Sequence, residues 1–326
     1  MPELKNILSR HTPRLAKKVK LFFTGLLFLF STLVPPISSG TANPFSLAVL
    51  YPDIQGNYRK VFQKILQGVR DHPDARVATL PLGPETTPDI VRGWLDQHGH
   101  QAVLALGMRG YKSIKQLGLE KPVVVGALVI SPNGITGISL AGSPRAFMTR
   151  LTRIAPQVRR VFIVYSKANS GWLVESARQE AAPLGLTIEA LEATDSREAV
   201  DQFQKVLGKI QGPTDAVWLP LDSVIPNGTV LPMLLKSAWD KRFVIFSNNP
   251  SHTRKGALFS LYPDHQAMGR RLVDLTLDQI VNLQKPHVIA TEDLKIAVNR
   301  RTASHLGLEL TSQNLRGFDL VFPNRR

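Results

Sequence analysis

From residue 44 onward, short apolar or β-branched runs alternate with stretches of helical period, and this alternation limits the fold more than any other feature. Residues 46–51 read as a strand, and 58–71 as a helix with Val61, Phe62, Ile65, Leu66 and Val69 on one face. Strand 76–80 leads to helix 88–97, which opens on Pro88, where a missing N–H costs nothing. Strand 102–106, a short helix 110–117 and strand 122–127 follow, and strand 135–140 comes after the Asn133-Gly134 turn. A helix between two strands carries the chain back along the sheet, so successive strands run parallel and helices cover both faces.

The pattern then restarts. Residues 144–155 read as a helix, 161–165 as a strand, 170–184 as a helix capped by Ser170, and 187–191 as a strand. A helix over 196–210 capped by Ser196 or Asp195, strand 216–219, helix 230–241 and strand 243–246 complete the second series. Two βα series of similar length predict two doubly wound parallel-sheet α/β lobes joined near 141–143. Segments 257–261, 265–283 and 294–298 are expected to shuttle between the lobes. The expected division is 43–140 plus about 258–287 for one lobe, and 141–257 plus about 288–326 for the other.

The first 42 residues read as an export signal. Lys5, Arg10, Arg14, Lys17, Lys18 and Lys20 form a basic segment with Glu3 as its single acid. An uncharged apolar run, 21–34, is short for a bilayer span, which needs about 20 residues. Pro35-Pro36 and the small residues 38–42 then resemble a cleavage region, with cutting expected after Ala42. The competing reading is an uncleaved anchor; either places the rest outside the cytoplasm. There is no cysteine, so neither disulfides nor a lipid anchor on Cys is available, and a periplasmic protein resting on a full-sized core is expected. The formal charge is +15, of which the leader contributes +5. The remaining +10 favours anionic ligands, headgroups or an acidic partner, while nucleic acid is a poor partner for an exported chain.

In open parallel sheets, ligands bind beyond the carboxyl ends of the strands. Strand ends single out Tyr51, Arg109, Ser131, Asn169, Ser170, Asp222 and Asn248 as ligand-binding candidates. Arg109 opens a helix, where a cation opposes the dipole; that misfit points to an anionic group held nearby. Asp222 lies past a buried strand in a Pro-containing loop, where a carboxylate can take a ligand ammonium. Thiol nucleophiles are excluded, the eight His show neither His-Glu-x-x-His nor a compact cluster, and no Gly-x-Ser-x-Gly or Gly-Lys-Ser/Thr loop occurs. No catalytic residue, metal or cofactor is expected.

Residues 139–310 resemble the ABC-transporter substrate-binding proteins of the tryptophan/tyrosine-binding type, relatives of the type I periplasmic binding proteins. The matching text is Ile154-Ala155-Pro156, strand 161–165 with Asn169-Ser170, and the Ala-Pro-Leu-Gly-Leu of 182–186. Asp-Ala-Val-Trp-Leu-Pro-Leu-Asp over 215–222, segments 255–257 and 262–269, and 296–308 with Asn299 and Ala303 complete it. The resemblance implies two α/β lobes with three crossovers, hinge closure on a small ligand, an inner-membrane ABC permease as partner, and a monomer that binds rather than catalyses. It also implies that Asn169 and Ser170 line the cleft, that Asp222 faces a ligand amino group, and that Asn248 lies in the loop completing the pocket. The first lobe departs from the family: Gly107-Met108-Arg109-Gly110 replaces a Thr-Pro-Ala-like helix start, and Ser131-Pro132 replaces Asp-Pro. A lost acid and a gained Arg predict a more anionic ligand. A sensor or accessory protein of the same fold is the alternative, distinguished by whether permease or receptor genes adjoin.

Overall fold

The computed structural model describes residues 43–311 and 315–323; the expected leader and its cleavage site lie outside them. The first sheet contains β1 (Phe45–Pro52), β2 (Ala75–Leu82), β3 (Ala102–Leu106), β4 (Val123–Leu128), β5 (Thr136–Gly142) and β11 (Val288–Thr291). Its order is β11-β5-β4-β3-β1-β2. The second contains β6 (Arg160–Tyr165), β7 (Thr187–Glu192), β8 (Asp215–Leu219), β9 (Val244–Ser247), β10 (Phe259–Pro263), β12 (Leu294–Asn299) and β13 (Leu320–Phe322). Its order is β13-β12-β10-β9-β8-β6-β7. Every described pairing is parallel except β10 with β12.

Helices cover both faces of each sheet. On the first they are α1 (Asn57–Arg70), α2 (Pro88–His98), α3 (Gly107–Leu117) and α9 (His265–Asn282). The second carries α4 (Pro144–Ile154), α5 (Lys167–Ala181), α6 (Ser196–Lys209), α7 (Asn227–Lys241), α8 (Pro250–Lys255) and α10 (Arg300–His305). Each sheet therefore has two buried apolar layers. Val49, Leu104 and Leu272 belong to one layer of the first lobe, and Leu50, Val103 and Val91 to the other. In the second lobe Ile163, Trp218 and Phe147 pack on one face, and Val217, Phe162 and Phe203 on the other.

The chain crosses between the sheets three times: after β5, after β10 and after β11. Two segments sit in the lobe opposite to the one expected. Phe259–Pro263 pairs with β9 and β12 in the second sheet, and Val288–Thr291 pairs with β5 in the first. Both are strands of four or five residues, β11 at a sheet edge and β10 between β9 and β12, too short for their sequence to reveal a partner.

Helix ends follow local chemistry where a side chain caps them. Asp195 accepts from the amides of Arg197 and Glu198 at 2.8 and 2.9 Å, so α6 begins where the Ser/Asp pair predicts. Helix α5 differs: its N-cap is Ser166, and Ser170 is buried inside the first turns, its amide bonded to the Ser166 carbonyl at 2.8 Å.

Helix α9 returns the chain to the first lobe by packing closely on α1. A β-carbon on Gly269 would collide with the Ile65 carbonyl, and one on Gly68 with the Gln266 carbonyl. Gly269→Val is expected to destabilise the protein by ~2–3 kcal/mol, because this backbone contact has no room to relax. Urea denaturation checks it; an unchanged midpoint would show that α9 can shift without loss.

Candidate functional site

Parallel strands all end on one side of their sheet, so loops there can face the other lobe. The ends of β3 and β4 meet those of β6, β8 and β9, and a cavity of 490 Å³ opens between them. Met108, Val129 and Ser131 line it from the first lobe. From the second come Asn169, the 220–223 loop, Asn227, Ser247, Asn249 and His252. The first-lobe wall is largely apolar: Met108 is 52% exposed and Val129 44%, unusual values for such side chains in a concave site.

The second-lobe wall is polar and ordered. Buried Asp222 accepts from the Ser166 amide at 2.9 Å through Oδ2. Its Oδ1 accepts from the Val224 amide at 3.1 Å and from Asn169 Nδ2 at 3.3 Å. Asn169 Nδ2 also donates to Ser223 Oγ at 2.9 Å. The carboxylate thus ties the loop after β8 to the first turn of α5. An ionised carboxylate has about four acceptor positions, so these three bonds leave one.

The lobes also touch at the rim. Ser131 Oγ donates a long hydrogen bond, 3.5 Å, to the Ala168 carbonyl. Trp172 on α5 packs against the cores of both lobes.

Of the seven residues predicted from the sequence, the cavity brings together Ser131, Asn169 and Asp222. Tyr51 ends β1 in a separate 400 Å³ pocket with Asp53, Arg59 and Arg70. Arg109 is exposed on α3 and donates through Nη1 to the Leu82 carbonyl at 2.9 Å, at the end of β2. Ser170 is enclosed in α5. Buried Asn248 accepts from Trp218 Nε1 at 3.0 Å, because an enclosed indole N–H needs an acceptor, and its neighbours Ser247 and Asn249 reach the cavity instead.

His252 was not predicted, since α8 carries no recognisable motif. Its Nδ1 lies 2.8 Å from Ser247 Oγ, which also accepts from the Asn249 amide at 3.1 Å. Burial, and then the Lys255 charge, push its pKa down to about 4, so the ring is neutral at pH 7. Among the described residues, Asp222 is therefore the one charged side chain lining the cavity; no Lys or Arg does.

A cavity at facing strand ends between two parallel-sheet α/β lobes is the architecture of the type I periplasmic binding proteins. The model of the family described as ABC transporter substrate binding protein matches residues 113–316, and the chain belongs to this family of solute-binding proteins. No curated protein matches the sequence. Among solved structures, the ABC domain in complex with L-Trp from Streptococcus pneumoniae is 18% identical, with TM-score 0.52, covering 86% of this chain and 100% of that one. The ligand-free, open structure of a substrate binding protein with adhesive properties from Clostridium difficile is 16% identical, with TM-score 0.57, covering 85% and 99%. A conserved domain protein from Vibrio cholerae is 16% identical, with TM-score 0.52, covering 86% and 100%. All three share the two-lobed type I periplasmic binding protein fold. No helix among the described residues is long and apolar enough to cross a membrane.

The depressed His252 pKa makes the site acid-labile. The unfolded imidazole binds a proton near pH 6.5 and the folded one only near 4, so stability is intact above pH 6.5 and falls as pH drops toward 4. His252→Gln is expected to remove ~2–3 kcal/mol of the loss seen between pH 7 and pH 4. Urea midpoints across that range check it; parallel curves for both proteins would refute it.

Proposed function

We propose that this protein is exported, captures a small amino-acid-like ligand between its lobes, and delivers it to the permease of an ABC transporter. The observation that carries this is the cavity's division into an apolar wall, Met108 and Val129, and a polar wall with one carboxylate, Asp222. A ligand with an apolar body and a polar or ammonium head matches both walls at once. Ser131, Asn169, Ser223 and Asn249 supply neutral donors and acceptors for the rest of that head.

An anionic ligand is the weaker reading. It rested on Arg109, whose guanidinium is engaged at the end of β2, and on the acid lost at Ser131; among the described residues no Lys or Arg lines the space. Binding, with no reaction, is the mechanism. The ligand would share the remaining acceptor position of Asp222, replace the loose Ser131 contact, and hold the lobes together against the three crossovers acting as hinge.

A thermal-shift panel of amino acids, small acids and sugars tests the class, because a ligand of the folded form must raise the melting temperature. L-tryptophan, held by the pneumococcal structure, is the first probe. For an amino acid that binds, Asn169→Ala is expected to weaken affinity roughly tenfold with little change in melting temperature. Asp222→Ala also strips the Ser166 and Val224 amides of their acceptor, so it should lower both. Calorimetry checks the pair; unchanged affinity in Asn169→Ala would remove the cavity as the binding site, and a response to sugars alone would replace the ligand class.

A further inference from the structure

Four cations gather at the edge of the second sheet opposite the cleft. Strand β12 runs antiparallel to β10, so Asn299 at its end lies beside the start of β10. Helix α7 ends at this edge before β9 begins, and α8 runs down to it with Arg254 and Lys255. A pocket of 350 Å³ opens there, lined by Arg254, Lys255, Arg301 and the indole of Trp239; Arg300 lines the adjoining groove.

Among the described residues the pocket has no acidic lining residue; Glu309 lies along the adjoining groove. Among the described residues none of the four cations forms an ion pair, whereas Arg160, Lys209 and Lys295 all do. Clustered like charges repel, a cost that a bound anion would cancel. Neutral polar groups here are already engaged: Asn299 Oδ1 accepts from the Arg301 and Thr302 amides, its Nδ2 donates to the Thr253 carbonyl, and Thr302 Oγ1 donates to the Gly256 carbonyl. Beside these, the pocket presents the cationic groups and the Trp239 indole.

The walls are fixed in place. Trp239 stacks on His305 with ring centres 3.6 Å apart and planes within 5°, and His305 Nε2 donates to the Trp239 carbonyl at 2.8 Å. The Arg254 guanidinium lies over the Phe322 ring, 5.7 Å from its centre. Two guanidinium forks and an ammonium around a small concavity match the oxygens of a phosphate better than a single carboxylate.

We propose that this pocket is a second binding site, separate from the interlobe cavity, that takes a phosphate group. The group comes either from a soluble phosphate ester or from a phospholipid headgroup. Equilibrium dialysis against inorganic phosphate at low ionic strength tests it, using the full protein, Arg254→Gln, Arg301→Gln, Asn169→Ala in the cleft, and the charge control Lys112→Gln/Lys115→Gln on α3. Saturable binding is expected, weakened roughly tenfold or more in either arginine variant and unchanged in Asn169→Ala and the control. Absence of saturable binding overturns the proposal. So does an equal loss in the control, the sign of unspecific attraction to a basic protein, or a loss in Asn169→Ala, which would put phosphate in the cleft. Cosedimentation with phosphatidylcholine vesicles containing phosphatidylglycerol separates the sources. Lipid binding that phosphate competes away and that both arginine variants lose assigns the site to headgroups; phosphate binding without it assigns the site to soluble esters.

Discussion

The packing of α9 on α1 is the contact on which the two-lobed arrangement depends. Helix α9 lies between β10, in the second sheet, and β11, at the edge of the first, so its docking decides whether the chain closes back on itself. Gly68 and Gly269 allow the two backbones to touch. Three residues further along α9, Leu272 fills the space over Gly126 of β4, where a β-carbon would meet its side chain. Directly after Gly126 the β4–β5 register shifts, and Ala127 takes a positive φ of 60°. That bulge shifts the pairing, which resumes at Leu128 with Ser139, and the chain goes on to Val129 and Ser131, both at the cavity. A helix contact outside the cleft thus continues through one strand into a loop that lines the cavity.

The alternation of strand and helix was legible because each element satisfies its own backbone and displays its own period. Thr87 with Pro88, and Asp195 with Glu198, mark helix starts with atoms at most a few residues away. The start of α5 was misread for the opposite reason. Ser166 caps it in part because Asp222, 56 positions later, accepts the Ser166 amide, and nothing near Ser170 announces that. The short strand β11 and the helices α8 and α10 were missed because four to six residues carry too little period to separate from a loop.

Strand ends pointed toward the interlobe cavity, but only some of the named side chains line it. Past β9, Ser247 and Asn249 line the cavity while Asn248 between them serves the Trp218 indole. The residue that a strand end points into solvent depends on what its neighbours must satisfy inside. Arg109 shows the same effect: its position opening α3 was read correctly, yet the side chain turns to the carbonyl that ends β2. Asp222 is the instructive case. It was chosen for its charge, and the structure engages that charge in three bonds, one within its own loop and two from the start of α5.

These placements divide the chain's positive excess unevenly. Among the described residues the interlobe cavity holds a carboxylate and a neutral imidazole and no lining Lys or Arg, while arginines and a lysine without an ion pair collect at the opposite edge of the second sheet. Any anion drawn by the net charge therefore meets these cations outside the cavity lining. Inside it, the one remaining acceptor position on Asp222 and the neutral His252 leave a site that rewards hydrogen-bond donors. The buried imidazole adds to this: protonating it would place a second charge beside the cavity at a cost that burial sets, so the cavity keeps its single negative centre throughout the neutral range.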